Sequence, residues 1–369
     1  MKIKDVTVTR YREDAVSRQS PEILVVELKT DAGLTGTGFA TAANAAIGDI
    51  MAALLRTLLK PTVISQDPRL TTDLWNRMYA EAIPRRGGDG LMRPCIAAID
   101  FAAWDIKGKL ADMPVASLFG SRREMVPTYA NCAHHLPAKK LAERAREYVK
   151  KGHKALKLRG TRTFVTPAEA TERVRRVREA VGDDIKIMVD VNGTWDVDTA
   201  IAQLHAWEDF DVYWLEEPVP PADIAGYIRI REQSGDTLIV GGEQHVGLME
   251  FERLIGEDAV DIVQPNAALT GGITDWLRIH ALATANSVPI SPWNLQWVHL
   301  HLAAGLPNVK WLEYFMPDNP LQRFQTRLLI GPPLRETTTE DGVFLLAPQA
   351  PGLGLALDAE VAEQTRLAE

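Results

Sequence analysis

The chain has 369 residues, a length that suits one barrel-sized domain plus one smaller domain. Its composition, 46% hydrophobic and 24% charged, is typical of a globular enzyme and excludes a disordered or fibrous chain. The formal net charge of −8 leaves no basic face to neutralise a phosphate backbone, so nucleic acid is not expected as a partner.

The sequence indicates neither export nor membrane insertion. The segment from Met1 to Arg10 alternates charged and apolar residues, and no later stretch is apolar over the length that a bilayer requires. Cys95 and Cys132 have no partners at zinc spacing and are too few for a disulfide framework. We therefore expect a cytoplasmic protein without membrane contact, in which both cysteines are buried thiols.

The first third of the chain predicts a sheet followed by helices. Residues 3–9 and 23–29 are rich in β-branched side chains, and a turn at residues 31–33 precedes a returning strand. Residues 47–60 and 96–109 carry apolar side chains at helical spacing. This order is typical of an α+β domain.

Beyond residue 125, short apolar runs alternate with amphipathic helices, as in parallel strands joined by crossovers. In the second crossover, Thr166 and Pro167 form a cap and a first-turn proline ahead of a helix with one apolar stripe. Eight strands suggest a (β/α) barrel; they are predicted at residues 128–131, 155–158, 185–189, 212–215, 237–240, 260–263, 288–291 and 309–312.

Three acids, Asp190, Glu216 and Glu243, stand at the ends of three successive predicted strands, about one βα unit apart. The carboxyl ends of barrel strands meet at one mouth, where three carboxylates would repel one another unless a hard cation neutralised them. Oxygen ligands favour Mg²⁺ or Mn²⁺ over zinc. Each acid alone could equally be a helix cap or a solvated loop residue, but the regular spacing favours a metal site. Glu217 points elsewhere on its strand and is interpreted as a supporting or surface acid.

The chain resembles the mandelate racemase subgroup of the enolase superfamily. The similarity runs from Gly33-Leu34-Thr35-Gly36 through Ala98-Ile99-Asp100-Phe101-Ala102-Ala103-Trp104-Asp105-Ile106-Lys107-Gly108-Lys109 and the three acids to Gly271-Gly272 and Pro351-Gly352-Leu353-Gly354. The resemblance implies a (β/α)₇β TIM-like barrel under an α+β cap. The expected division is a cap at residues 1–125, a barrel at 126–318 and a tail at 319–369 that returns to the cap.

The resemblance also implies roles for individual residues. Asp190, Glu216 and Glu243 match the family's magnesium ligands, and the metal would bind the substrate carboxylate and stabilise the enediolate formed when the α-proton leaves. Glu313 matches the acid that hydrogen-bonds the other carboxylate oxygen, although it could simply cap the last strand. Barrels of this family are usually homo-oligomers, which we expect here too.

The acid/base positions depart from the family pattern. Where relatives carry Lys-x-Lys, this chain has Lys157-Leu158-Arg159, and a guanidinium stays protonated. Lys157 could act as the base if Arg159 and the metal lowered its pKa, or both residues could merely orient the carboxylate. On the opposite face, Asn266 and Trp293 replace the aspartate and histidine of the usual dyad, and Asn266 also replaces the lysine of the muconate-lactonizing subgroup.

Other polar residues are candidates for supporting roles. His245, two residues after Glu243, would be the nearest substitute base if it faced the same mouth. Asn192, Asn266, Trp293 and Glu313 are predicted to bind substrate, as is His135 beside His134 after the first barrel strand. His299 and His301 fall in a predicted helix and are interpreted as structural.

These features predict a lyase that dehydrates an acid sugar, because syn β-elimination can proceed with a single acid/base. Two alternatives remain: a racemase, epimerase or cycloisomerase with an unusual pair of bases, and a barrel that binds metal and ligand without catalysis. Arginines in the cap loops hint at a substrate with more than one anionic group; they are Arg12, Arg18, Arg85, Arg86 and Arg93.

Overall fold

The structure, a computed structural model, describes residues 1–14, 16–82, 84, 89–120, 123–132, 136–159, 166–319, 321–331 and 333–368. The chain opens with a three-stranded antiparallel sheet in the order β1-β2-β3, followed by helices that pack on one face of it. These elements are β1 (Ile3–Arg12), β2 (Glu22–Thr30), β3 (Thr35–Ala42), α1 (Ala45–Leu54), a π-helical segment (Leu55–Leu59), α2 (Lys60–Val63), α3 (Thr71–Ala82), α4 (Asp89–Leu110) and a short 3₁₀ helix (Val115–Phe119).

Strands and helices then alternate around a parallel barrel. The elements are β4 (Met125–Asn131), α5 (Ala138–Lys150), β5 (Ala155–Arg159), α6 (Pro167–Val181), β6 (Lys186–Asp190), α7 (Val197–Ala206), a 3₁₀ helix (Glu208–Phe210), β7 (Val212–Glu216), α8 (Ile224–Arg231), β8 (Leu238–Gly241), α9 (Leu248–Gly256), β9 (Ile262–Val263), α10 (Ala267–Thr270), α11 (Ile273–Ala285), α12 (Gln296–Gly305) and β10 (Leu312–Tyr314). The side chain of Thr166 accepts a hydrogen bond from the backbone of Glu169 and so caps α6, as its sequence predicted.

The barrel is closed by parallel pairing. Strands β4 to β9 pair in chain order, and β10 pairs with β4 on the other side. Between β9 and β10, the predicted strand at residues 288–291 contributes one residue, Ile290, which bridges Val263 and Val309. The eighth strand lies at Leu312–Tyr314, slightly later than predicted. The predicted barrel with an α+β cap is confirmed.

The last segment contains α13 (Arg323–Leu328), β11 (Leu329–Gly331), β12 (Glu336–Thr339), β13 (Gly342–Leu346), β14 (Ala356–Leu357) and α14 (Ala359–Thr365). It contacts both parts of the molecule. Strand β13 pairs with barrel strand β4, whereas Arg366 bridges Tyr11 of the cap sheet. Across the described residues, every helix is too short or too polar to span a membrane.

Helix α4 joins the cap to the barrel through two buried aspartates. Asp105 accepts hydrogen bonds from the backbone nitrogens of Thr37 in the cap and Leu353 in the tail, both at 2.8 Å. Asp100 accepts bonds from the hydroxyl and backbone nitrogen of Thr274 at the start of α11. The sequence motifs around Asp100 and Asp105, the glycine pair before α11 and the tail therefore meet at one junction.

Candidate metal centre and active site

The three acids singled out in the sequence lie together at the carboxyl ends of the barrel strands. Asp190 ends β6 and Glu216 ends β7, and the two residues are partners in the parallel ladder. Glu243 follows two residues after the end of β8. One carboxylate oxygen from each residue lies within 4.8 Å of the others, and all three side chains are buried.

This cluster fits a hard divalent cation. Oxygen Oε2 of Glu216 and Oε2 of Glu243 are buried and have no hydrogen-bond partner among the described residues, which is costly unless another group binds them. Burial raises the pKa of Glu216 to about 7, and the charges of Asp190 and Glu313 add to this effect. Burial and neighbouring carboxylates also raise the pKa of Glu243. An all-oxygen ligand set of this kind suits Mg²⁺ or Mn²⁺.

Asn192 supports the cluster from the loop after β6. Its side-chain nitrogen donates to Oε1 of Glu243 at 3.1 Å, and its backbone nitrogen donates to Oδ1 of Asp190 at 2.9 Å. The residue has a φ of 47°, a conformation that asparagine adopts more readily than most residues. In this structure Asn192 therefore orients two of the three carboxylates.

Lys157 and Glu313 form the other side of the site. The Lys157 ammonium nitrogen lies 2.8 Å from Oε1 of Glu216 and 2.8 Å from Oε1 of Glu313. Glu313 is held in place because Asn131 donates to Oε1 at 2.9 Å and the backbone nitrogen of Asn294 donates to Oε2 at 3.0 Å. Glu313 is thus part of a buried network with Lys157 rather than a simple strand cap.

The charge balance around Lys157 differs from the sequence-based expectation. Burial lowers the pKa of Lys157, but Glu216 and Glu313 outweigh burial and hold that pKa well above its ordinary value. Arg159, whose Nη2 lies 3.2 Å from Oδ2 of Asp190, pairs with a carboxylate of the cluster. The surrounding carboxylates therefore raise the pKa of Lys157, whereas the sequence-based expectation was that it would be lowered.

Asn266, at one of the two predicted dyad positions, has a structural role. Oδ1 of Asn266 accepts hydrogen bonds from the backbone nitrogens of Ala268 and Leu269 and so caps α10. Its Nδ2 donates to the backbone oxygen of Trp293 at 3.2 Å. An amide whose two ends are used in this way has no capacity to accept a substrate proton.

His245 is buried two residues after Glu243 in the chain. Its ring packs near Phe251 and the backbone of Pro221, and it lines a cavity of about 220 Å³ together with Ile224 and Arg253. Burial lowers the pKa of His245 to about 4. Among the described residues, no hydrogen bond or ion pair joins its ring to the carboxylate cluster, and its role as a substitute base stays a prediction.

Glu217 proves to be fully buried, so the interpretation as a surface acid is wrong. The residue has a φ of 46°, which turns its side chain toward Gln244, and it accepts bonds from both the backbone and the side-chain nitrogen of Gln244. Burial raises the pKa of Glu217 to about 8. No signal in the sequence distinguishes this acid from an exposed one, because strand alternation predicts only that it faces away from Glu216.

Four other histidines were assigned roles from the sequence. His134 and His135 lie outside the described residues. His299 accepts a hydrogen bond from the backbone of Ala267, and His301 accepts one from the backbone of Ala116. Both rings are buried in α12, and the structural interpretation of the two residues agrees with these contacts.

Comparison with known proteins connects this site to a family. Residues 4–120 match the N-terminal domain of the mandelate racemase and muconate lactonizing enzyme family, and residues 140–361 match the enolase C-terminal domain-like family. An L-talarate/galactarate dehydratase from Salmonella typhimurium is 32% identical over 89% of this chain and 81% of its own length. An arabinonate dehydratase from Saccharolobus solfataricus is 30% identical over 93% of this chain and 90% of its own length.

A solved structure shows the same architecture. The L-talarate dehydratase from Polaromonas sp. JS666, in complex with Mg and L-glucarate, superposes with a TM-score of 0.85 at 30% identity. The alignment covers 100% of this chain and 99% of the dehydratase.

Proposed function

The chain belongs to the mandelate racemase and muconate lactonizing enzyme family, and on that premise we propose that it is a magnesium-dependent dehydratase of hydroxylated sugar acids. The observation that carries the proposal is that two groups of charged residues lie side by side. Three buried carboxylates, two of which have an unpartnered oxygen, lie beside the Lys157–Glu313 pair. In the proposal, the substrate carboxylate binds between the metal and Glu313. The two dehydratase relatives support the choice of reaction.

In this proposal Asp190, Glu216 and Glu243 hold Mg²⁺, with Mn²⁺ as a possible substitute. The bound cation supplies Lewis-acid stabilisation of the negative charge that builds on the substrate carboxylate as the α-proton leaves. Asn192 keeps two of the ligands in position. Glu313 hydrogen-bonds the second oxygen of the substrate carboxylate, and Lys157 faces the α-carbon.

The proton is removed and returned on one face of the barrel. Arg159 stays protonated and serves to bind anions, so Lys157 is the proton acceptor in this proposal. Lys157 can lose its own proton when the charge of Glu216 is taken up by a cation, because that charge is a main cause of its raised pKa. After abstraction, the same ammonium group can return the proton to the departing β-hydroxyl, which leaves as water.

The opposite face argues against racemisation. Asn266 and Trp293 provide no second base there, and the Asn266 amide is committed to the cap of α10. Inversion at the α-carbon requires a proton donor on the face opposite the acceptor, whereas syn elimination requires one group only. The geometry therefore favours the lyase over a two-base isomerase.

A library of acid sugars incubated with the protein and Mg²⁺ in deuterium oxide tests the proposal by NMR. We expect loss of the β-hydroxyl and formation of a 2-keto-3-deoxy acid, and we expect both to stop when EDTA removes the metal. Deuterium at the α-carbon with the hydroxyl retained would indicate an isomerase. Binding of ligand without any exchange would indicate a barrel that has lost catalysis.

The proposal also includes a cytoplasmic homo-oligomer. The absence of a membrane-spanning helix in the described residues is compatible with this location. Size-exclusion chromatography with light scattering measures the oligomeric state, and a monomeric mass would contradict that part of the proposal.

A further inference from the structure

A second cavity lies where the cap meets the barrel mouth. It has a volume of about 490 Å³, enough for the chain of a small sugar acid. Its wall combines cap residues, among them Glu13 and Glu22, with residues that follow the last barrel strands, among them Asn294, Gln322 and Gln325.

This cavity adjoins the carboxylate site through Asn294. The backbone nitrogen of Asn294 donates to Oε2 of Glu313 at 3.0 Å. The side-chain oxygen of Asn294 accepts a bond from Nε2 of Gln322 at 2.8 Å. A molecule whose carboxylate binds at Glu313 could therefore extend past Asn294 into this cavity.

Two glutamines in the cavity wall offer unused hydrogen-bonding atoms. Gln322 is 7% exposed and Gln325 is 8% exposed. Oε1 of Gln322 and Nε2 of Gln325 are buried without a partner among the described residues. A buried amide atom that lacks a partner is unfavourable unless a ligand or water binds it. The pair presents one acceptor and one donor, the combination that a hydroxyl group satisfies.

The charges in the cavity wall disfavour a second carboxylate. Among the described residues of the wall there is no lysine, arginine or histidine, and the charged residues there are Glu13 and Glu22. Both acids are already paired, Glu22 with Arg10 and Arg12 and Glu13 with Arg327. A carboxylate moved from water into such a wall would lose hydration and would have to compete with these acids for a counter-ion.

The described cap arginines that suggested a polyanionic substrate are paired with acids of the protein itself, one of which, Glu22, belongs to the cavity wall. Arg12 pairs with Glu22, and Arg18 pairs with Asp49. Arg93 pairs with Asp89 and Asp275. Arg85 and Arg86 lie outside the described residues.

We infer that the substrate is a monocarboxylic sugar acid, an aldonate, whose neutral polyol tail occupies this cavity with hydroxyls on Gln322 and Gln325. This inference rests on the proposed function, because it assumes that the acid end binds at the metal centre. It names Gln322 and Gln325 as specificity-determining residues and predicts discrimination against aldarates, which carry a carboxylate at both ends.

Calorimetric titration in the presence of Mg²⁺ tests the inference with hexonates and pentonates, each paired with the aldarate of the same carbon skeleton. We expect the tightest-binding aldonate to bind at least about tenfold more tightly than the tightest-binding aldarate, since an uncompensated buried charge outweighs one neutral hydrogen bond. Equal or tighter binding of the aldarates, or binding of neither class, would overturn the inference.

A gain-of-function variant sharpens the test. Gln325→Lys adds a cation to the wall and should move the ratio of aldonate to aldarate affinity toward one or below it. Gln233→Lys makes the same change at an exposed glutamine beyond α8 and should leave the ratio unchanged. An unchanged ratio in a folded Gln325→Lys protein would contradict the inference.

Gln325→Leu provides a second route if the lysine variant does not fold. It should weaken binding of hexonates by roughly two- to tenfold and leave binding of glycerate, which is too short to fill the cavity, unaffected. Equal loss for both ligands would mean that the glutamine acts on the fold rather than on the tail.

The outcome is separable from that of the proposed function. If aldarates exchange their α-proton in deuterium oxide and aldonates do not, the dehydratase proposal stands and the inference fails. If no acid sugar exchanges its α-proton, the proposed reaction is wrong. The ratio of aldonate to aldarate affinity still shows whether the cavity selects neutral tails.

Discussion

The side-chain nitrogen of Asn266 lies 3.2 Å from the backbone oxygen of Trp293, so the two residues that replace the usual acid–base dyad are joined by a hydrogen bond. The bond ties the start of α10 to the loop after the seventh strand position of the barrel. In the proposed mechanism the opposite face therefore offers no base, and proton transfer is assigned to the Lys157 face.

Asn266→Ala should lower the free energy of unfolding by about 1–2 kcal/mol, because it removes both the cap of α10 and the bond to Trp293. Asn266→Asp should lower the free energy of unfolding by less, since aspartate also caps helices. Urea denaturation measures both variants. Equal loss in the two proteins would mean that the cap contributes little.

Glu216→Gln should weaken Mg²⁺ binding by more than about a hundredfold while the fold is kept, since it removes one of three charged ligands. Asp190→Asn should behave in the same way. Glu217→Gln is the matched control one residue along the chain, and it should change the affinity much less because Glu217 contacts Gln244 instead. Calorimetric Mg²⁺ titration compares the three, and unchanged affinity in Glu216→Gln would assign the cluster another purpose.

Removal of the metal should make stability depend on pH. The pKa values of Glu216 and Glu217, about 7 and about 8 in the fold, exceed the ordinary value of 4.5. The folded state then binds more protons than the unfolded state, so the free energy of unfolding falls as pH rises through this window. Mg²⁺ should offset the loss by neutralising the cluster.

Thermal unfolding with EDTA and with Mg²⁺ between about pH 5.5 and about pH 8 measures this effect. The gap between the two melting temperatures should widen as pH rises. His299 and His301, whose pKa values burial lowers to about 3 and about 4, affect both series equally and cancel in the difference. A constant gap would argue against charge repulsion in the cluster.

Lys157→Met should abolish exchange of the substrate α-proton, because it removes the proton acceptor. His245→Asn should slow the exchange by less than about tenfold, since the ring of His245 packs beside Phe251 and, among the described residues, has no hydrogen bond to the cluster. NMR in deuterium oxide at saturating substrate follows both variants. Exchange that persists in Lys157→Met with only a raised KM would reduce Lys157 to a carboxylate-binding residue.

Gly352→Ala should destabilise the protein far more than Gly33→Ala. Both glycines have a positive φ, 76° and 81°, a conformation that costs an L-residue about 1–2 kcal/mol. A Cβ at Gly352 would also collide with Oδ1 of Asp105, whereas the space around Gly33 is open. The free energies of unfolding of the two variants, measured by chemical denaturation, should therefore differ by more than about 1 kcal/mol. Similar losses would show that the junction at Asp105 relaxes.

The sequence by itself determined the barrel, the cap and the three strand-end carboxylates. Strand and helix periodicity are local properties, and in a parallel barrel all carboxyl ends of strands face the same mouth. The positions of Asp190, Glu216 and Glu243 in the chain were therefore enough to predict that they meet. The absence of the usual dyad stays a prediction, because it depends on the identity of Asn266 and Trp293 and on the resemblance to the family.

Only the tertiary structure decided how the neighbouring polar groups are used. The sequence gives no measure of burial or of partners, so the pairing of Lys157 with Glu313, the turn that buries Glu217 and the packing of His245 against Phe251 could not be predicted. The cavity where the cap meets the barrel mouth could not be predicted either. It forms because the return of the tail brings Gln322 and Gln325 against residues from the start of the chain, and such long-range contacts depend on packing rather than on local pattern.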